Sequence, residues 1–464
     1  MHERTARPLC QSIPPLGVQE RSEGGEDTPR SSDALGGEQA TRGGRIWGLG
    51  ELRPGEGVVW MRLLHTSDWH LGRQLEGRSR MDEQVAVLEE ISLLAREERV
   101  DLVIVAGDVF DTVNPGAEAE RLFYHTLEHL SEGGRRAVLL IAGNHDHPDR
   151  LAAAGPLASH SGVVLAGRPG DLVATVGVSG HGVTWRSLGD GVLSLGLAAS
   201  GEEAIIAALP YPSEARLGQM LKETLEEHAL QSAYSDRVGS LFQRAAEHFR
   251  EDTVNLATSH LFVRGGYETD SERPIQVGGA YTVGPEALPA GAHYVALGHL
   301  HRAQPVVGCA RARYSGSPLA YSFSEAGQVK AVFLVEVQPE DGPGGAKVRE
   351  IPLRTGHPLV SWEAGEGYAQ ALRWAEEGRD PGAWIDLELH LTEPLTIDRI
   401  QHLRELRPRL VQIRTVASGP REAVSVELRS HMGDDELFRL FYERERGVPP
   451  LDETVALFLD LVNG

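Results

Sequence analysis

Five segments of the sequence carry side chains able to hold a cation. They are LLHTSDWH with Asp68 and His70, VIVAGDVFD with Asp108 and Asp111, LLIAGNHD with Asn144, His145 and Asp146, VNLATSH with His260, and YVALGHLH with His299 and His301. Each is an apolar run leading into oxygen or imidazole donors. Carboxylate, amide and imidazole donors without thiolate suit Mn²⁺, Fe²⁺ or Zn²⁺, and they exclude an iron–sulfur cluster or a cysteine-rich structural zinc. The set is too large for one ion. Two ions about 3.5–4 Å apart need a shared ligand, which a carboxylate supplies well.

Taken one at a time, the segments have ordinary readings. An Asp after a strand is usually a helix N-cap, an isolated His in apolar surroundings is usually a satisfied core group, and Asn144-His145-Asp146 could be turn chemistry. Their repetition at five strand ends is what these readings leave unexplained. Other candidates are weaker. His125 and His129 have the four-residue spacing of a helical zinc grip but lack the Glu after the first His, so a solvated helix face is expected. His147 and His160 have no strand-end context, and no GxxxxGK[ST] phosphate loop occurs.

The elements that must position these residues follow from apolar periodicity. From Met61 to about Phe323, short runs such as Leu102–Val105, Ala137–Ile141, Gly162–Leu165 and Thr253–Leu256 alternate with helical patterns at Met81–Glu98 and Ala117–Leu130, which argues for a layered α/β domain. Ligands in such folds gather at the carboxyl ends of the strands, where the five polar clusters lie. Gly107, Gly143 and Gly298 fit tight strand exits. A polar helical stretch, Ser213–Arg250, is expected outside this domain. From Ala331, two strand-like runs around the EDGPGG turn, the alternating Trp384–Leu391 and a strand at Leu410–Val416 read as a smaller α+β domain. After it, Asp434–Gly464 reads as two amphipathic helices broken by Gly447 and Pro449-Pro450, with Leu437, Phe438, Phe441, Leu457, Phe458 and Leu461 on their apolar faces. Residues 1–60 are rich in Gly, Ser, Glu and Arg. They are expected to be a disordered or misassigned extension, with the folded protein starting at Met61. The expected units are therefore 1–60, 61–330, 331–429 and 430–464.

With 45 basic and 67 acidic residues among 464, the formal charge is −22. Such a chain cannot hold nucleic acid by bulk charge, so a cation-bearing site or a partner must supply the attraction. Two cysteines, Cys10 and Cys309, exclude a disulfide framework and suit a reducing cytoplasm.

The order D-x-H, GD-x-x-D, GNHD, a lone His after a strand and GH-x-H resembles the calcineurin-like metallophosphoesterases. Within them, HTSDWHLG, AGDVFDTVNP, IAGNHD, GHLHR and YSGSPLAYSFSE resemble the SbcD family of bacterial DNA repair nucleases, with the likeness running from Met61 to the C-terminus. The resemblance implies a layered β-sandwich flanked by helices, a capping domain that guides DNA, and C-terminal helices that dock on the ATPase SbcC. It implies one metal on Asp68, His70, Asp108 and His301 and a second on Asp108, Asn144, His260 and His299. His145 would stay off the metals as general acid, oriented through a hydrogen bond to Asp146. Asp111 stands where archaeal and eukaryotic members look to carry His, and its role is left open. The activity implied is phosphodiester hydrolysis of DNA, as a 3′–5′ double-strand exonuclease and a single-strand and hairpin endonuclease. Two divalent cations (Mn²⁺, with Mg²⁺ as the alternative), a homodimer and a heterotetramer of two nuclease and two ATPase chains are implied as well. The competing readings are a small-molecule phosphatase or cyclic-nucleotide phosphodiesterase on the same fold, and a catalytically idle DNA-end scaffold.

Overall fold

The structure is a computed structural model, and it describes residues 60–168, 177–189, 191–198, 201–213, 227–272, 281–391, 395–417, 433–446 and 449–463. The expectations for residues 1–59, Gly447 and the end of the second domain near Arg429 lie outside these residues.

Two sheets form the larger domain. The first has six strands in the order Lys347–Pro352, Ala331–Val337, Met61–Thr66, Leu102–Val105, Ala137–Ile141 and Val163–Ala166. Met61–Thr66 and the three strands to its right run parallel, while Ala331–Val337 pairs with Met61–Thr66 antiparallel. The second sheet has eight strands, with Glu203–Leu209, Val254–His260, Tyr294–Gly298 and Cys309–Tyr314 parallel neighbours at its centre.

Alternation along the first strand shows how the layers arise. Leu63 faces the second sheet and packs with Leu102, Ile104, Leu139, Ile206, Leu256 and Tyr294. Leu64, one residue on, faces the opposite way, toward Val87, Leu88 and Ile91 of helix Met81–Glu97 and Phe123 and Leu127 of helix Ala117–Ser131. The far face of the second sheet is covered by helix Glu227–Ala246 through Tyr234, Val238 and Phe242. The result is the expected β-sandwich between helical layers.

The expected domain boundary at Ala331 needs correction. Ala331–Val337 is buried on both faces: Val332 and Leu334 lie in the helix-side core, and Phe333, Val335 and Val337 in the inter-sheet core. Burial on both sides marks an interior strand. Strands Ala331–Val337 and Lys347–Pro352 therefore complete the first sheet, and the smaller domain starts near Leu359.

That domain is a three-stranded parallel sheet, Leu359–Ala364, Trp384–Leu391 and Leu410–Ala417, crossed by helices Tyr368–Glu376 and Ile397–Leu406. It is fastened to the larger domain through buried Glu83. The Glu83 carboxylate accepts from Trp384 Nε1 at 2.9 Å and the His357 amide at 2.7 Å, and is clamped by Arg80 at 2.6 and 2.8 Å. The tail helices are Asp434–Arg446 and Asp452–Asn463, held by Phe438 stacked on Phe458 with ring centroids 4.1 Å apart.

Candidate metal centre

The strands Met61–Thr66, Leu102–Val105 and Ala137–Ile141 of the first sheet and Val254–His260 and Tyr294–Gly298 of the second all end at one place. The turns leaving the first two are hydrogen-bonded to each other: the Asp68 amide donates to the Gly107 carbonyl at 2.9 Å and the His70 amide to the Asp108 carbonyl at 3.0 Å. Tight folding has a conformational cost. Asp68, His70, Asp108 and His299 have φ of 53°, 45°, 50° and 110°, half of the eight non-glycine residues with positive φ among the described residues. Such conformations cost about 1–3 kcal/mol each and persist where surrounding contacts over-determine them.

The glycines predicted at the strand exits have a sharper role than turn flexibility. A Cβ on Gly107 would lie 2.4 Å from His260 Nδ1, and one on Gly143 2.0 Å from Asp108 Oδ1. One on Gly298 would lie 1.9 Å from the Ala106 carbonyl oxygen. The ligands pack directly against bare backbone.

All seven metal-ligand candidates come together. Asp108 Oδ2 lies 3.4 Å from His260 Nε2 and 3.6 Å from His70 Nε2. Asn144 Oδ1 lies 2.9 Å from His260 Nε2 and 3.2 Å from His299 Nδ1. His70 Nε2 and His301 Nε2 face each other at 3.0 Å. The Asp68 carboxylate accepts from the His299 amide with both oxygens at 3.1 Å. Donor atoms of Asp68, His70 and His301 lie within 4.8 Å of one another, as do those of Asp68, Asp108 and His260, and those of His70, Asp108 and His145. A cation with bonds of about 2.0–2.2 Å places neighbouring donors roughly 3–3.5 Å apart, the spacing found here.

The electrostatics fit the same occupant. Burial lowers His70 and His299, leaving neutral imidazoles with lone pairs to offer. Burial pushes Asp108 up, but the His260 and His70 rings outweigh it and hold the carboxyl well below its usual range. Burial likewise opposes the charged form of His260, yet Asp108 and Asp68 lift it to about 9. Burial raises Asp68 to about 6 despite His260 and His301. Among the described residues, His299 Nε2 and His70 Nδ1 are buried with no hydrogen-bond partner. Divalent cations fit a cage of acceptor oxygens and bare imidazole nitrogens.

His145 is half-buried, its ring edge-on to His70 at 4.8 Å. Its orientation differs from the expectation. His145 Nδ1 donates to the Asp111 main-chain carbonyl at 2.7 Å. The buried Asp146 carboxylate instead accepts from the amides of Gly143 at 2.8 Å, Phe110 at 2.9 Å and Val109 at 3.1 Å. Asp146 therefore ties the GNHD turn to the GDVFD turn. Asp111 steers His145, and its own carboxylate lies 3.7 Å from both His70 Nδ1 and Arg73. Of the residues that back His301, Glu325 closes the YSGSPLAYSFSE segment but carries no role there, and nothing in the type or spacing of Ser271, Glu272 and Lys330 distinguishes them. His125 and His129 sit on an exposed helix face with rings 4.2 Å apart, and His147 is a helix cap whose Nδ1 accepts from the Arg150 amide.

Comparison with known proteins shows the family. The calcineurin-like phosphoesterase family model matches residues 61–303, and one described as type 5 capsule protein repressor C-terminal domain matches 355–446. The SbcD component of the SbcCD nuclease from Bacillus subtilis is 45% identical over 87% of this chain and 98% of its own length. Its counterparts from Rhodobacter capsulatus and Escherichia coli K12 are 34% and 30% identical, over 72% and 85% of this chain and 82% and 94% of theirs. The chain belongs to the calcineurin-like phosphoesterase family and, within it, to the SbcD nucleases.

Proposed function

We propose that this chain is the nuclease component of a DNA-processing complex and hydrolyses phosphodiester bonds at a pair of divalent cations. The observation that carries the reading is the place of Asp108, whose Oδ2 lies 3.6 Å from His70 Nε2 and 3.4 Å from His260 Nε2. Asp68, His70, Asp108 and His301 would hold one cation, and Asp108, Asn144, His260 and His299 the other. Bound there, the pair would lower the pKa of water and neutralise charge on the scissile phosphate.

The remaining chemistry belongs to the chain. A sugar oxygen leaves poorly as an alkoxide, so a proton donor accelerates its departure. With Nδ1–H committed to the Asp111 carbonyl, His145 has Nε2 left to deliver that proton. Asp146 keeps the two ligand-bearing turns together, and through them the spacing between His145 and Asp108. Imidazole-rich ligation favours Mn²⁺ over Mg²⁺, which prefers an all-oxygen shell.

The proposal extends to the partners. The smaller domain, fastened through Glu83, would guide duplex ends and hairpins toward the cations. The tail helices leave Phe441, Leu457 and Leu461 exposed at 60%, 60% and 77%, an apolar stripe suited to docking on the ATPase SbcC. Two nuclease and two ATPase chains, with the nuclease domains paired, form the proposed assembly, located with the DNA in the cytoplasm. Among the described residues no helix is long and apolar enough to cross a membrane.

The test is digestion of linear duplex and hairpin DNA by the purified chain with Mn²⁺ or Mg²⁺, with and without SbcC and ATP, beside small phosphoesters. Mn²⁺-dependent DNA cleavage supports the reading. Hydrolysis of small phosphoesters with no action on DNA overturns it.

A further inference from the structure

His301 is held from behind by a chain of buried groups. Its Nδ1 lies 2.6 Å from Ser271 Oγ, and Ser271 Oγ lies 2.6 Å from Glu325 Oε1. Glu325 Oε1 also accepts the amides of Tyr321 at 2.9 Å and Ser322 at 3.2 Å, while Oε2 pairs with the Lys330 ammonium. Lys330 turns back to the same histidine, donating to the His301 carbonyl at 2.8 Å and to Ser317 Oγ at 3.0 Å. His301, Ser271 and Glu325 are 1%, 4% and 1% exposed, so water does not compete for these bonds.

Proton counting fixes the direction of the chain. A serine hydroxyl has one hydrogen and two lone pairs. At 2.6 Å from a carboxylate oxygen that hydrogen must go to Glu325, because the alternative sets a lone pair against an anion. Thr269 Oγ1, 2.8 Å from Ser271 Oγ, gives its own hydrogen to Glu272 Oε2 at 2.6 Å, so Ser271 has only a lone pair to present to His301 Nδ1. His301 Nδ1 must therefore carry the hydrogen, and Nε2 is left bare. Nε2 is the atom that faces His70 Nε2 at 3.0 Å.

From this geometry we infer that Ser271, Glu325 and Lys330 are positioning residues that lock His301 in the Nδ1–H tautomer and so present Nε2 to a cation. Glu325 supplies the acceptor, Ser271 transmits its direction across the gap, and Lys330 holds the carboxylate while fixing the His301 main chain. The inference rests on the two-cation reading of the site. Groups that orient a metal-ligating histidine typically contribute about 10–100-fold to metal affinity.

Two measurements on the full chain test it. The first is ¹⁵N NMR of histidine-labelled, metal-free protein, with the His301 signal assigned by its loss in His301→Gln. Wild type should show Nδ1–H, and Ser271→Ala should move the population toward Nε2–H. The second is titration with Mn²⁺, following the free ion by EPR. Wild type should bind two ions, and Ser271→Ala should weaken one of them about 10–100-fold, with its melting temperature in EDTA close to wild type. Should Ser271→Ala melt early, Glu325→Gln keeps shape and an acceptor oxygen, and a loss of about 10-fold is expected there. A wild-type His301 protonated on Nε2, or variants that bind both ions as tightly as wild type, would overturn the positioning role alone. A wild-type chain that binds no Mn²⁺ would overturn the two-cation reading and this inference together.

Discussion

Replacing Gly143 by Ala adds one methyl group where the site has no room. Its Cβ would stand 2.0 Å from Asp108 Oδ1, 2.3 Å from the Asp108 amide nitrogen and 2.7 Å from Asp108 Cγ. Non-bonded contacts relax at about 3.5 Å, so something must move by roughly 1–1.5 Å. Asp108 cannot yield freely. Its Oδ1 accepts the His145 amide at 2.9 Å, its carbonyl accepts the His70 amide at 3.0 Å, and its φ is already 50°. Overpacking a buried position costs about 1–3 kcal/mol, which a domain of this size survives. A displacement of about 1 Å at a reacting centre costs on the order of 10²-fold in rate. Gly143→Ala should thus fold, lose most bound Mn²⁺ and cleave DNA at least about 100-fold more slowly. Gly155→Ala is the control, since a Cβ there meets nothing within 4 Å among the described residues and the residue is helical. The assay pairs Mn²⁺-dependent digestion of linear duplex with elemental analysis of bound metal. Full activity and full metal content in Gly143→Ala would refute the claim that Asp108 must stay within bridging distance of both histidines.

Four more outcomes are expected. His145→Ala should keep its metal and lose about 10²–10⁴-fold in rate, whereas Asp108→Asn should lose the metal pair; equal metal loss in both would dissolve that division of roles. Mn²⁺ at about 100 times its Kd should stabilise the chain by about 2.7 kcal/mol, read as a rise in melting temperature that Asp108→Asn does not show. Burial, against a hydrogen bond to the Leu297 carbonyl, depresses His65 to about 3. The unfolded chain therefore takes up a proton below about pH 6.5 that the folded chain refuses, and stability falls on acidification by about 1.4 kcal/mol per pH unit through this group. In EDTA, urea unfolding of His65→Gln between about pH 4.5 and 6.5 should show a slope smaller by about one proton, and an unchanged slope would sink the assignment. Phe441→Asp with Leu457→Asp should abolish capture of SbcC while leaving Mn²⁺-dependent cleavage by the isolated chain intact; retained capture would place the docking surface elsewhere.

The cluster of candidate ligands was legible because strand ends are legible. Each apolar run stops where a donor begins, and parallel strands bring their carboxyl ends to one side whatever their loops do. What surrounds the ligands was not. Ser271, Glu325 and Lys330 act on His301 from 30, 24 and 29 positions away, through bonds whose partners only the folded chain brings together. The link expected from Asp146 to His145 failed for a related reason. The resemblance implied that contact, yet the turn brings the Asp146 carboxylate to main-chain amides and gives His145 to a main-chain carbonyl, which no residue type encodes. The boundary at Ala331 was misplaced because an apolar run after a change of composition reads as a new beginning. Only its pairing with Met61–Thr66 reveals it as an interior strand of the first sheet.

That pairing has a consequence for synthesis of the chain. Leu63 sits beside Val335, a partner made 272 residues later, so the inner edge of the first sheet stays bare until the ribosome has translated well past the last candidate metal ligand. The ligand-bearing strands can form early, but their sandwich cannot close until then. An emerging chain must meanwhile carry an unpaired apolar edge of the kind that attracts chaperones and misassembly. A truncation that ends after His301 and its backing residues but before Val337 would contain every side chain of the proposed centre and still lack the strand that seals them in.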